Sequence, residues 1–123
     1  IDHPRLRCDL VKMEKGGVDG VFLAVFVGQQ GGLDAEGYAA VYEKAIARFE
    51  AIHRLPATYP ERCALAVSSR DLPSIAATGR RAIMIGIENG YPVGEDLARL
   101  AETAAGPGER SRWRPAAGRC APL

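Results

Sequence analysis

The chain has 123 residues, 47% hydrophobic and 25% charged, which sets aside fibrous and disordered classes and leaves room for one small globular domain. Sixteen basic side chains against fifteen acidic ones leave a formal charge of +1, so no overall field would draw in nucleic acid or an anionic membrane. No apolar run approaches the roughly 20 residues of a membrane-crossing helix, and the best stretch, Val18 to Val27, carries Asp19 inside it.

In chain order, Arg5 to Lys15 predicts a short amphipathic helix with Leu6, Leu10, Val11 and Met13 among charges, stopped by Gly16 and Gly17. Val18 to Val27 is continuous in its apolar part and rich in β-branched and aromatic residues, a buried strand followed by the loop Gly28 to Gly32. Asp34 can cap the next helix, in which Tyr38, Val41, Tyr42, Ala45, Ile46, Phe49 and Ile52 form one stripe up to Pro56. Tyr59 to Arg62 then reads as a turn and Cys63 to Val67 as a doubtful extended piece. Ser69 to Thr78 is a short helix ahead of Gly79. Residues 82 to 87 are nearly all apolar without alternation, as in a parallel strand covered on both faces, and Gly90 and Pro92 end it. A further helix is expected over Glu95 to Ala105.

Strand, helix, strand, helix is the order of βαβ units, so an α/β fold with a parallel sheet is expected over residues 1–105. Residues 106–123 hold three glycines, three prolines and no apolar period, and form an irregular Arg/Pro/Gly-rich tail in this reading. Arg110, Arg112, Trp113, Arg114 and Arg119 make no repeated stacking platform, so no nucleic-acid partner is expected. Cys8, Cys63 and Cys120 lack CxxC spacing and read as free thiols. The chain opens on Ile1 without the apolar core of a signal peptide, and we expect that its true beginning has been removed, which leaves bacterial cytoplasm and periplasm both open.

Few residues could carry chemistry. The cluster Gly16 to Gly20 precedes a strand where a dinucleotide fingerprint must follow one, and Gly28 to Gly32 lacks the Lys and Ser/Thr of a P-loop. His3 and His53 have no second ligand at metal spacing, and no Ser-His-Asp order or GxSxG is present. Glu88 remains. It closes the apolar run that begins at Arg81, and chemistry in parallel α/β folds gathers at the carboxyl ends of strands. The plainer alternative makes Glu88 a cap of the following loop or the ion-pair partner of Arg81 or Arg99, within a small non-catalytic ligand-binding module that uses the Gly28 loop.

Three stretches tip the balance: Arg5 to Val27 with its Lys-Met-x-x-Gly-Gly-Val-Asp-Gly-Val-Phe-Leu-Ala-Val-Phe-Val, Glu50-Ala-Ile-His-Arg-Leu55, and Ile85-Gly-Ile-Glu-Asn-Gly-Tyr-Pro-Val-Gly94. In order and separation they resemble the renal or membrane dipeptidase family of zinc peptidases, peptidase family M19, in its bacterial branch. The resemblance implies a partial (β/α)8 TIM barrel of the metal-dependent hydrolase type with only the first few β/α units present. It also implies dipeptide hydrolysis at a centre of two zinc ions and a possible homodimer of the full-length protein. Glu88 then matches the carboxylate that bridges both metals, a role its two oxygens suit. The family's His-x-Asp pair and two later histidines have no counterpart here, so the isolated chain is expected to be inactive. A barrel needs eight strands and about 250 residues, so unpaired edges are expected too.

Overall fold

The structure, a computed structural model, describes residues 2–29, 32–96 and 99. The helix expected over Glu95 to Ala105, the tail 106–123 and Cys120 therefore lie wholly or largely outside the described residues.

The first helix, α1 (Leu10–Gly16), starts five residues later than its amphipathic pattern suggests. The cause is Asp9, whose extended backbone lets its carboxylate accept the Lys12 amide at 2.9 Å and cap the helix. Lys12 Nζ also binds that carboxylate, which holds the Asp9 carboxyl far below its ordinary range and the Lys12 ammonium above its own. At the other end Gly17 takes φ 67°, and its N–H reaches Glu14 O.

The strand β1 (Gly20–Phe26) leads to the long helix α2 (Ala35–Thr58), capped by Asp34 through the Gly37 amide at 2.8 Å. The stripe read from the sequence is the buried one, with Val41, Ala45, Phe49 and Ile52 all inside. Pro56 does not end α2, which runs on to Thr58. In a last turn the missing proline N–H forfeits a single bond, while Tyr59 N and Thr58 Oγ1 still close on Leu55 O and Arg54 O. A short β2 (Cys63–Leu65), α3 (Asp71–Ala76) and β3 (Arg81–Glu88) follow.

All three strands are parallel, in the spatial order β1-β3-β2. The doubtful piece at Cys63 is thus a true edge strand, while β3, last in sequence, is central. The crossover from β1 to β2 passes over β3 and the next one returns, so two right-handed connections put α2 and α3 on opposite faces. Packing agrees. On one face α1 and α2 cover Val21, Leu23, Val25, Ile83 and Ile85, and on the other α3 covers Ala64, Ala82 and Met84.

Among the described residues that second face is covered only at the amino ends of the strands. Toward the carboxyl ends Phe22 is 68% exposed and Phe26 46% exposed, so the expected cover on both faces holds for only part of the sheet. Cys63 is buried, which pushes its thiol up, and Cys8 is exposed; both are free thiols.

Asp71 anchors the start of α3 by accepting the amides of Ser68 at 2.7 Å and Val67 at 2.9 Å. Hydrogen bonding to Ser68 and then to the Val67 amide holds its carboxyl below the usual value. A carboxylate depressed on folding stabilises above its unfolded pKa of about 3.9, and that stabilisation disappears as pH falls through the folded value. Asp71→Asn is therefore expected to lower stability at pH 7 and to differ little from the parent near pH 2. Urea unfolding at both pH values checks this, and a gap that persists in acid would refute it.

Candidate functional site

The carboxyl end of the central strand is built by the segment Glu88 to Gly94. Glu88 is paired in register with Phe26, and because side chains alternate along a strand it shares a face with Met84 and Gly86. A Cβ placed on Gly86 would lie 3.8 Å from Phe22, which puts Phe22 on that face too. Glu88 is exposed there. The two arginines that could have neutralised it are engaged elsewhere. Arg81 Nη1 binds Asp19 at 2.8 Å, while Arg99 stacks 4.6 Å from the Tyr42 ring centre and sits 3.9 Å from Asp96.

Among the described residues the hydrogen bonds that cap the loop come from Asn89, which the sequence reading did not single out. Asn89 adopts φ 76°, a left-handed backbone that Asn tolerates better than most side chains. Its amide nitrogen donates to Val27 O at 2.8 Å, tying the end of β3 to the end of β1, and its amide oxygen accepts Tyr91 N at 3.0 Å. Tyr91, buried in a single 3-10 turn (Tyr91–Val93), donates its hydroxyl to Gly32 O at 2.7 Å and packs against the Tyr38 ring at 5.3 Å. The turn fits closely against α2. A Cβ on Gly94 would come within 2.9 Å of Tyr38, and one on Gly37 within 2.5 Å of Gly32 O. Glu88 is thus held by a clamp joining β1, the loop after it and the start of α2. The visible signal was Asn-Gly immediately after a strand, a pair suited to left-handed backbone.

The remaining sequence candidates stay apart from Glu88. His3 accepts the Arg5 amide through Nδ1 and lines an apolar cavity of about 510 Å3 bounded by Leu10, Met13, Val21, Leu55 and Tyr59. That cavity lies on the α2 side of the sheet, away from the Glu88 face. His53 is half-buried on α2. Among the described residues no three His, Cys, Asp or Glu side chains come together to hold a metal ion. Since zinc sites normally use three or four protein ligands, these residues do not by themselves fit a zinc centre, and Glu88 can give one carboxylate only.

Parallel strands with crossover helices, and an exposed acid where the central strand ends, define a parallel α/β protein. The sequence profile of the membrane dipeptidase family, peptidase family M19, matches residues 2–106. The chain belongs to that family, which is in general zinc-dependent. Among solved structures it is similar to the probable dipeptidase PvdM from Pseudomonas aeruginosa, with a TM-score of 0.72 and 26% identity over 81% of this chain. The chain spans 26% of the length of that dipeptidase, so its three-stranded open sheet corresponds to part of a TIM-barrel fold. No curated protein matches it. No helix among the described residues is long and apolar enough to cross a membrane.

Proposed function

We propose that this chain is the Glu88-bearing part of a zinc-dependent dipeptidase, and that Glu88 is a metal-binding carboxylate of the site at which dipeptides are hydrolysed. The observation that carries the reading is the exposed position of Glu88 at the carboxyl end of the central strand, next to the Asn89 tie to β1 and within a stretch matched to the membrane dipeptidase family. The hydrogen bonds that cap the loop belong to Asn89. Imidazole donors for the metal come, in this reading, from outside the described residues, so the chain alone hydrolyses no dipeptide.

A chimera tests it. Residues 2–106 of this chain are placed in a family member of measured dipeptidase activity, in exchange for the segment they match. The chimera is expected to hydrolyse dipeptides with zinc bound, and Glu88→Gln to lower kcat/KM on the order of 100-fold or more, since even residues that merely support metal ligands cost 10–100-fold. An active chimera indifferent to Glu88→Gln would remove Glu88 from the site.

A further inference from the structure

Packed interiors rarely leave voids much larger than a water molecule, yet the apolar cavity on the α2 side of the sheet measures about 510 Å3. That falls within the roughly 300 to 1,000 Å3 usual for small-molecule sites. Its origin is local. Because the Asp9 cap starts α1 only at Leu10, residues 3–8 form an irregular strap instead of a first helical turn, and His3, Leu6 and Cys8 of that strap line the same cavity as Val21 and Leu23 of β1. Val21 and Leu23, with Leu55 and Tyr59 at the end of α2, pack on the core but stay only partly buried. At the mouth, Leu6 is 52% exposed.

The walls are apolar, whereas the rim is polar and carries positive charge. His3 accepts the Arg5 amide through Nδ1 at 3.2 Å, so a neutral ring keeps its proton on Nε2 as a donor. The strap is pinned where the His3 amide donates to Asp9 Oδ2 at 3.3 Å and Lys12 Nζ donates to His3 O at 3.1 Å. Both acids of this region, Asp2 and Asp9, are bound by Lys12. Arg5 and Arg7, exposed on either side of Leu6, form no ion pair among the described residues.

We propose that this cavity binds a medium-chain carboxylic acid, its alkyl chain against the apolar walls and its carboxylate at the rim with Arg5, Arg7 and the His3 Nε2 proton. A dipeptide or a sugar would leave polar groups unpaired against such walls, and an alkyl chain has none to leave. A neutral or cationic head would forgo the arginines, which suit a carboxylate. The site lies away from Glu88 and does not depend on the role given to that residue.

Cys8, exposed on the cavity wall, supplies the readout. Iodoacetamide labelling is followed by mass spectrometry in the full chain carrying Cys120→Ser, with Cys63 buried and slow to react. Decanoate is expected to slow Cys8 labelling to a saturating limit. Octanoate should need on the order of tenfold more, at about fourfold for each methylene taken from water, and decyltrimethylammonium should not protect. Replacing Arg5→Ala and Arg7→Ala together should weaken decanoate roughly fivefold and leave decanol unchanged. Val21→Phe fills the cavity from the sheet and should abolish protection; Leu6→Trp at the exposed mouth gives the same test should circular dichroism show the first variant unfolded. No protection by decanoate below its micelle concentration, equal affinity for octanoate and decanoate, or protection by the cationic amphiphile would each overturn the proposal. Protection that survives cavity filling would overturn it too, as adventitious binding to the surface.

Discussion

Phe49→Ala is expected to destabilise the chain by about 3 to 5 kcal/mol, the usual cost of emptying an aromatic site in a core. Phe49 is 3% exposed and belongs to the cluster in which α2 meets Leu10 and Met13 of α1, Val25 of β1, Cys63 of β2 and Ile83 of β3. No other helix among the described residues covers so much of the sheet, so there is little nearby that can collapse into the void. Small domains sit at the low end of the 5 to 15 kcal/mol range of stabilities, and a loss of this size should leave much of the protein unfolded at 25 °C. The matched control is Phe22→Ala, the same chemical change at a ring 68% exposed, for which a change within about 0.5 kcal/mol is expected. Urea unfolding followed by circular dichroism measures both. Equal losses would mean that Phe22 is covered, contradicting its exposure on the open part of that face.

Asn89 gives the second large effect, and two substitutions separate its causes. Asn89→Gly keeps the left-handed backbone but removes the bond to Val27 O and the one from Tyr91 N, at about 0.5 to 1.5 kcal/mol each. Asn89→Ala loses the same bonds and adds the cost of a Cβ at φ 76°, a further 1 to 2 kcal/mol or so. The alanine variant should therefore fall below the glycine variant by that increment, and the glycine variant below the parent by the bonds alone. Thermal unfolding of the three proteins reads the order directly. Should alanine and glycine prove equal, the backbone at residue 89 is not left-handed and the clamp on Glu88 must be redrawn. The bond between Tyr91 Oη and Gly32 O is untouched by either change, so the loop after β1 is expected to keep one of its ties.

Local signals in the sequence determined a good deal about this protein. The Asp34 cap, the Val41 to Ile52 stripe, the αL stop at Gly17 and the apolar run ending at Glu88 each depend on residues within a turn or two, so they are legible without a partner. The three motif stretches sufficed for the family, since matched residues carry that information in their order. Where local signals competed, the reading slipped. Asp9 outbid the apolar pattern upstream of it and shortened α1, and Pro56, disfavoured inside a helix, cost too little in a last turn to end α2.

Only the tertiary structure decided that β3 lies between β1 and β2, that α2 and α3 take opposite faces, and that Asn89 and Tyr91 hold Glu88 in place. Strand order depends on the direction of each crossover, and the clamp joins residues about sixty positions apart, from Val27 to Asn89 and from Gly32 to Tyr91. Neither leaves a periodic trace, because backbone carbonyls at Val27 and Gly32 accept hydrogen bonds whatever side chain stands there. The exposure of Phe22 was hidden for a related reason: an apolar residue in a strand looks the same in sequence whether its cover is present or absent, and only the packed arrangement of helices shows which part of the sheet the described residues leave uncovered.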